Sequence, residues 1–398
     1  MNTYSFGSVS KKLNELYLNT EETTGSDGAG PISYEPLVPS INFSSAYQYL
    51  DEESLAQYHR QKFEHHRYTR DSNAMVNQTE RIFSFMMGRP SMLFSSGMSA
   101  IWAALWVSAP KVEAFVSIGS YYRKTYVLLE ELAAMTGKPH INVDDVDDAL
   151  ARELPSKILL HVEGPCNPLM RIHDIEKLRA GYPDATILYD NTFAGLENDL
   201  VNLKYVDFQV TSCTKYIGGH NDIIAGQLSV SSEEVFEKIW NVRSSQGGIP
   251  DSMSAYLLFR SLKTYDVRIA QMVSNAEKVL VWLDNHPNIE TIYYPGQFAN
   301  ADQTELFSKS YGHGGAVISY KIREGASIKL DRSQLFSTKM APSFGSTDTL
   351  IERPATMSHA GKTDAQLAAL GLSSNLIRMS VGMEPIEFIL ADLQRVLS

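Results

Sequence analysis

Along the chain, apolar and polar positions settle into a regular rhythm only from about Met75. Before that, the first thirty residues are polar and end in the Gly/Ser/Asp-containing stretch Thr23 to Gly30, the pattern of a flexible lead-in. From Pro31 to about Tyr68, scattered prolines and aromatics show no sustained period, which predicts an extended arm. Beyond it, helical and strand-like patterns alternate. Asn77 to Met87 predicts a helix stopped by Gly88 and Pro90, Ser91 to Phe94 a short strand, and Gly97 to Val107 a helix. Glu113 to Ile118, Ile158 to Val162 and Ala185 to Tyr189 are apolar runs of strand length, and Tyr126 to Met135 is helical. Tyr205 to Val210 is a further strand, partly alternating through Asp207 and Gln209. Such alternation predicts an α/β domain around a mostly parallel sheet. A long helix over Ser252 to Trp282, a strand over Ala316 to Ile322 and an amphipathic helix over Pro385 to Val396 predict a smaller C-terminal α+β domain. The expected division is an arm over 1–70, the α/β domain over 71–270 and the second domain over 271–398.

Composition narrows the function classes. The 398 residues are 43% hydrophobic and carry a formal net charge of -11, which suits a folded chain and disfavours nucleic acid or an anionic membrane as partner. The most apolar run, Ile101 to Val107, is far too short to span a bilayer. Cys166 and Cys213 are the only cysteines and neither has a CxxC partner, so no disulfide framework and no metal site is expected, and a reducing cytoplasmic compartment fits.

In open α/β sheets, ligands sit beyond the carboxyl ends of the strands. Three predicted strands run there into reactive groups: Glu163-Gly164-Pro165-Cys166-Asn167-Pro168, Asp190-Asn191-Thr192, and Thr211-Ser212-Cys213-Thr214-Lys215. Pyridoxal phosphate needs such a set: an amine to form an imine, a carboxylate for the pyridine nitrogen, and hydroxyls and free N–H groups for its phosphate. Lys215 and Asp190 supply the first two. Ser212 and Thr214 alternate around Cys213, so an extended strand end would turn both hydroxyls one way. Ser95-Ser96-Gly97-Met98 opens an apolar helix whose N-terminus suits an anion. Taken singly, each residue has a plainer role as a solvated cation, an N-cap or a core side chain; the combination is what is specific.

The stretch Ser212-Cys213-Thr214-Lys215-Tyr216-Ile217-Gly218-Gly219-His220-Asn221-Asp222 resembles the cofactor-lysine signature of the cystathionine γ-synthase/γ-lyase family, transsulfuration enzymes with the fold type I of aspartate aminotransferase. In order along the chain, Tyr68-Thr69-Arg70-Asp71-Ser72-Asn73, Ser95 to Met98, Glu163 to Pro168, Tyr189 to Phe193, Ser261 to Thr264, Pro354 to Ala360 and Leu376 to Gly382 also resemble its motifs. The resemblance implies that Lys215 binds the cofactor and moves protons between the substrate's α- and β-carbons. Asp190 would pair with the pyridine N–H. Tyr122 would stack on the ring and act as a base, and Asn167 would lie near the phenolic oxygen. Gly97, Met98, Ser212 and Thr214 would hold the phosphate. Tyr68 and Arg70 would reach the neighbouring subunit's phosphate, so the active unit would be a dimer within a homotetramer. Arg378 would clamp the α-carboxylate of an amino-acid substrate, with Ser343 near it.

Several segments depart from the family pattern. Arg123-Lys124 follows Tyr122, where methionine γ-lyases usually carry a cysteine near Lys124. Pro342-Ser343-Phe344-Gly345-Ser346 lacks the acidic residue of the family's Glu-x-Leu-Gly-Gly-like segment, and Asn73-Ala74-Met75 replaces Asn-Pro-Thr. The stretch after Tyr294-Pro295-Gly296 lacks the family's His-Pro-Gln-His-like sequence. The expectation is a kept cofactor site and a rewritten substrate pocket, with Arg123 and Lys124 suited to an anionic leaving group or co-substrate. The implied reaction is γ-replacement on an activated homoserine-like donor through a vinylglycine-type species. The alternatives are a γ- or β-lyase, and a regulatory protein that holds the cofactor without turnover.

Overall fold

The computed structural model describes residues 9, 11–12, 37–63, 65–297, 301–326, 328–357 and 372–397. Most of the predicted lead-in and the end of the Pro354 to Ala360 motif lie outside them; within the lead-in, Val9 is buried and Lys12 Nζ donates to Met86 O at 2.9 Å. Seven strands form the first sheet: β1 (Ser91–Phe94), β2 (Ala114–Ile118), β3 (His140–Val143), β4 (Ile158–Glu163), β5 (Thr186–Asp190), β6 (Phe208–Ser212) and β7 (Gly226–Val230), in the order β1-β7-β6-β5-β4-β2-β3. β3, β2, β4, β5 and β6 are parallel, and their near-continuous apolar faces match a sheet covered on both sides. β7 is antiparallel to both β6 and β1, so β1 runs the same way as β6. Phe94, Gly226 and Ser212 stand in one register row, which brings the carboxyl end of β1 beside that of β6.

The helices are α1 (Glu52–Arg60), α2 (Ala74–Met87), α3 (Gly97–Ser108), α4 (Arg123–Thr136), α5 (Val146–Ala151), α6 (Ile175–Gly181), α7 (Glu233–Gln246), α8 (Ser252–Leu262), α9 (Tyr265–Asp284), α10 (Ala301–Ser310) and α11 (Ile386–Val396). A second sheet joins β8 (Ile289–Tyr293), β9 (Val317–Ile322), β10 (Lys339–Met340), β11 (Leu350–Glu352) and β12 (Leu376–Ser380) in the order β10-β11-β12-β9-β8. One apolar core runs through both parts of the chain. It includes Phe83 of α2, Leu258 of α8, Met272 of α9, Ile318 of β9, Ile377 of β12 and Leu393 of α11. Among the described residues, no helix is long and apolar enough to cross a membrane.

Some elements differ from expectation for local reasons. The region before Tyr68 is not wholly extended: α1 forms there, capped by Asp51, and buries Tyr58. α2 starts at Ala74 because the Asn73 side chain accepts from Met75 N. α4 starts at Arg123, which puts both cations in its first turn. The run expected over Tyr205 to Val210 splits, since Tyr205 ends a 3₁₀ turn and the strand begins at Phe208. The single helix expected over Ser252 to Trp282 is two. The last turn of α8 tightens at Lys263 and Thr264, and the buried Arg268 guanidinium takes Ser261 O at 3.0 Å with Tyr216 O at 2.8 Å and Ile217 O at 2.9 Å. The break is thereby tied to the loop after Lys215.

Gly226 sets the spacing of this edge. A Cβ there would lie 2.4 Å from Ser96 O and 2.6 Å from Gly97 N, whereas one at Gly88 would meet nothing. Calorimetric melting should therefore show Gly226→Ala losing about 3 kcal/mol or more. Gly88→Ala, at φ 63°, should lose only about 1 kcal/mol from its left-handed backbone.

Candidate active site

Lys215, Asp190, Asn167, Ser343 and Arg378 converge where the carboxyl ends of β4, β5 and β6 meet the second sheet. After Ser212 the chain leaves the strand in a tight turn, with Lys215 N bonded to Ser212 O at 3.1 Å and Gly219 N to Lys215 O at 2.8 Å. The expected extended strand end stops at Ser212 and gives way to this turn. Thr214 Oγ1 accepts the Ala225 N–H at 3.1 Å, and Ser212 lies against Gly97. The turn carries Lys215 towards the second sheet. Its Nζ donates to Ser343 Oγ at 2.7 Å and sits 5.1 Å from the Phe344 ring. Burial, with Arg378 nearby, pulls the Lys215 amine down to about 8, so neutral amine is available near neutrality.

Arg378 is fixed by β12 and buried. Nη1 donates to Asn167 Oδ1 at 2.8 Å, Nη2 to Ser343 O at 3.1 Å, and Nη2 also pairs with Glu352 Oε1 at 2.8 Å. Ser343 holds φ 93°, unusual for a residue with a Cβ, and this conformation presents its carbonyl to Arg378 and its hydroxyl to Lys215. Asn167 therefore meets Arg378 through its oxygen, and its Nδ2 keeps no bonded partner among the described residues.

Asp190 ends β5, buried. Oδ1 accepts Thr192 N at 3.0 Å and Thr192 Oγ1 at 2.5 Å, while Oδ2 has no hydrogen-bond partner among the described residues. Burial raises its carboxyl pKa and the Thr192 bonds oppose that. Opposite it in register stands Glu163, whose Oε2 accepts Tyr122 N at 2.8 Å and whose Oε1 accepts Asn167 N at 3.0 Å. Burial and the neighbouring Asp190 push Glu163 upwards. Glu163 thus ties the Tyr122 turn to the Asn167 loop. Tyr122 itself is 46% exposed, and Arg123 and Lys124 are exposed beside it with no ion pair among the described residues.

At the start of α3, the Ser96 side chain caps Ser99 N, leaving Gly97 and Met98 N–H without bonded acceptors among the described residues. A Cβ on Gly97 would come within 3.1 Å of Ser212 Cβ, tighter than an ordinary contact, so glycine eases the approach of this helix end to Ser212. Tyr68 and Arg70 are not gathered with these groups. The Arg70 guanidinium lies over its own Tyr68 ring at 5.1 Å, both side chains being exposed. Sequence reasoning missed the roles of Glu163, Glu352, Thr192 and Phe344. Glu163 stands in a strand-end motif and Glu352 ends a short apolar run, but neither pattern reveals the partner across the fold.

The chain matches the family model described as Cys/Met metabolism PLP-dependent enzyme over residues 25–398. The chain belongs to this family. It is 32% identical over 340 residues to an L-methionine gamma-lyase of Fusobacterium nucleatum subsp. polymorphum, covering 82% of this chain and 85% of that enzyme. It is 32% identical over 343 residues to a cystathionine gamma-lyase of Bacillus subtilis (strain 168), covering 83% and 88%. Among solved structures, a cystathionine gamma synthase from Xanthomonas oryzae pv. oryzae in complex with cystathionine superposes with a TM-score of 0.82 at 28% identity, covering 90% of this chain and 92% of that one. The fold is that of fold type I transsulfuration enzymes, and the cofactor is pyridoxal 5'-phosphate.

The residues present fit that cofactor. Asp190 keeps one carboxylate oxygen without a bonded partner among the described residues for a ring N–H, Lys215 offers an amine of lowered pKa, and the unbonded amides at the start of α3 stand close beside Ser212 for a phosphate. For the cofactor-free chain, the rate of covalent capture followed by absorbance should rise with pH and level off above about 8. Lys215→Ala should abolish capture, and Asp190→Ala should weaken retention without abolishing it.

Proposed function

We propose that this enzyme acts at the γ-position of an amino acid with a charged γ-substituent, and that it catalyses replacement of that substituent by a nucleophile. The observation that carries the reading is Lys215 Nζ held 2.7 Å from Ser343 Oγ, in a site whose other cation, Arg378, bonds the same Ser343 through its carbonyl. A substrate bound by its α-carboxylate at Arg378 would place its α-proton beside a neutral amine.

When bound, the cofactor supplies an electron sink that stabilises negative charge at the α- and β-carbons. The chain does the rest. Lys215 takes the α-proton and then serves the β-carbon, so that the γ-substituent departs. Asp190 holds the ring nitrogen's proton. Tyr122, anchored through its N–H by Glu163, covers the ring, and Asn167 holds Arg378 while offering Nδ2 to the cofactor's phenolic oxygen. Gly97, Met98 and Ser212 hold the phosphate, with Thr214 shaping the turn behind it. Arg123 and Lys124, exposed in the first turn of α4, attract an anionic substituent.

The site would be shared between two copies of this chain, in a dimer that pairs into a tetramer. Tyr122 leaves apolar surface open beside the site, and Tyr68 and Arg70 are exposed and pack on each other, not on their own Lys215 cluster. A partner's Tyr68–Arg70 segment is the occupant we assign to that opening. The free, buried cysteines support work in the cytoplasm. A second reading, elimination to a 2-oxo acid and ammonia, is favoured by the two named relatives that are lyases.

Product analysis by mass spectrometry separates the two. The enzyme is given O-acetyl-, O-succinyl- and O-phosphohomoserine, cystathionine and methionine, each with and without cysteine. A new amino acid that needs the nucleophile establishes replacement; 2-oxobutyrate or pyruvate formed regardless of it establishes a lyase. Reversing both charges (Arg123→Glu, Lys124→Glu) should raise KM about tenfold for succinylated or phosphorylated donors and little for methionine. Equal effects on all of them would remove these residues from substrate choice.

A further inference from the structure

Arg378 already has a carboxylate partner inside the protein. Glu352, at the end of β11, stands directly opposite Arg378 of β12 in the antiparallel ladder, and Oε1 lies 2.8 Å from Nη2. Both side chains are almost wholly buried, at 2% and 5% exposure. Among the described residues, the groups around the guanidinium include the Asn167 oxygen, the Ser343 carbonyl, the Phe344 ring and, further off, Glu163, Lys215 and the Tyr216 phenol. Arg378 Nε–H and a second Nη1–H are uncommitted among the described residues. A ligand carboxylate can bond to these donors, but only by entering a dry site where the cation is already balanced by an anion on a rigid neighbouring strand.

We infer that Glu352 is the resident counter-ion of Arg378, and that it sets how tightly the site binds a substrate's α-carboxylate by sharing the guanidinium with it. Like charges brought together in a desolvated site repel strongly, so the resident carboxylate lowers affinity for the arriving one. It also keeps Arg378 from being a buried, unpaired cation while the site is empty. Glu352 therefore exchanges binding strength for a site that stays formed between turnovers. It acts through Arg378 and is a positioning residue. The inference rests on the reading that Arg378 takes the α-carboxylate.

The test uses the cofactor-loaded full chain and propionate, a carboxylate with no amine to react. Its affinity is read from the rise of the melting temperature with concentration. Glu352→Gln removes the charge at constant shape and should bind propionate about tenfold more tightly than the unsubstituted enzyme. Its lower melting temperature without ligand should be recovered as propionate replaces the missing counter-ion. Glu352→Asp keeps the charge but withdraws it and should bind with intermediate affinity. With substrate, Glu352→Gln should lower KM more than it changes kcat. Unchanged or weaker propionate binding in Glu352→Gln overturns the inference. Should that variant fail to fold, Glu352→Asp decides: tighter binding than the unsubstituted enzyme supports the inference, and equal or weaker binding overturns it. Arg378→Met isolates the underlying reading. If propionate still stabilises that variant as it does the parent, Arg378 is not the carboxylate site, whatever Glu352 does.

Discussion

Five ionisable groups are kept out of water where the two sheets meet: Glu163, Asp190, Lys215, Glu352 and Arg378. Each taken alone would cost several kcal/mol to bury. They are tolerable only because each is held against an opposite charge or a set of hydrogen bonds, and those partners come from different parts of the chain. The loops between the strands must therefore adopt the shapes that supply them. The tight turn after Ser212, the positive φ of Ser343 and the Glu163 bracket on the Tyr122 and Asn167 amides all serve that requirement.

The same constraint joins the two sheets. Arg378 of the second sheet bonds Asn167 of the first, and Lys215 of the first reaches Ser343 of the second. Arg268 ties the α8–α9 break to the loop after the lysine, and one apolar core joins the second sheet to α2, α8, α9 and Leu93 at the edge of the first. Docking of the sheets and formation of the site are thus a single event. A change in the packing of α9 against β9 would be felt at Lys215.

Much of the large sheet was legible in the sequence, because parallel strands covered on both faces leave short apolar runs between helical periods. β3 and β7 were not legible: His140–Val143 is a partly exposed edge, and Gln227 and Ser229 give β7 the look of a polar segment. The break at Lys263–Thr264 was hidden because both halves share a helical period, and its cause, Arg268, acts through carbonyls far away along the chain.

For the site, the sequence by itself determined the chemistry. The lysine, the strand-end carboxylate, the glycine-bearing helix start and the arginine of β12 are local signatures, fixed by residue type and by position at a strand or helix end. Tertiary structure alone decided how those groups are charged and held. Burial lowers the Lys215 amine, the cross-strand row pairs Glu352 with Arg378, and the bracket from Glu163 reaches two loops at once. Desolvation and cross-chain pairing are sums over neighbours from distant segments, and no single stretch of sequence contains them.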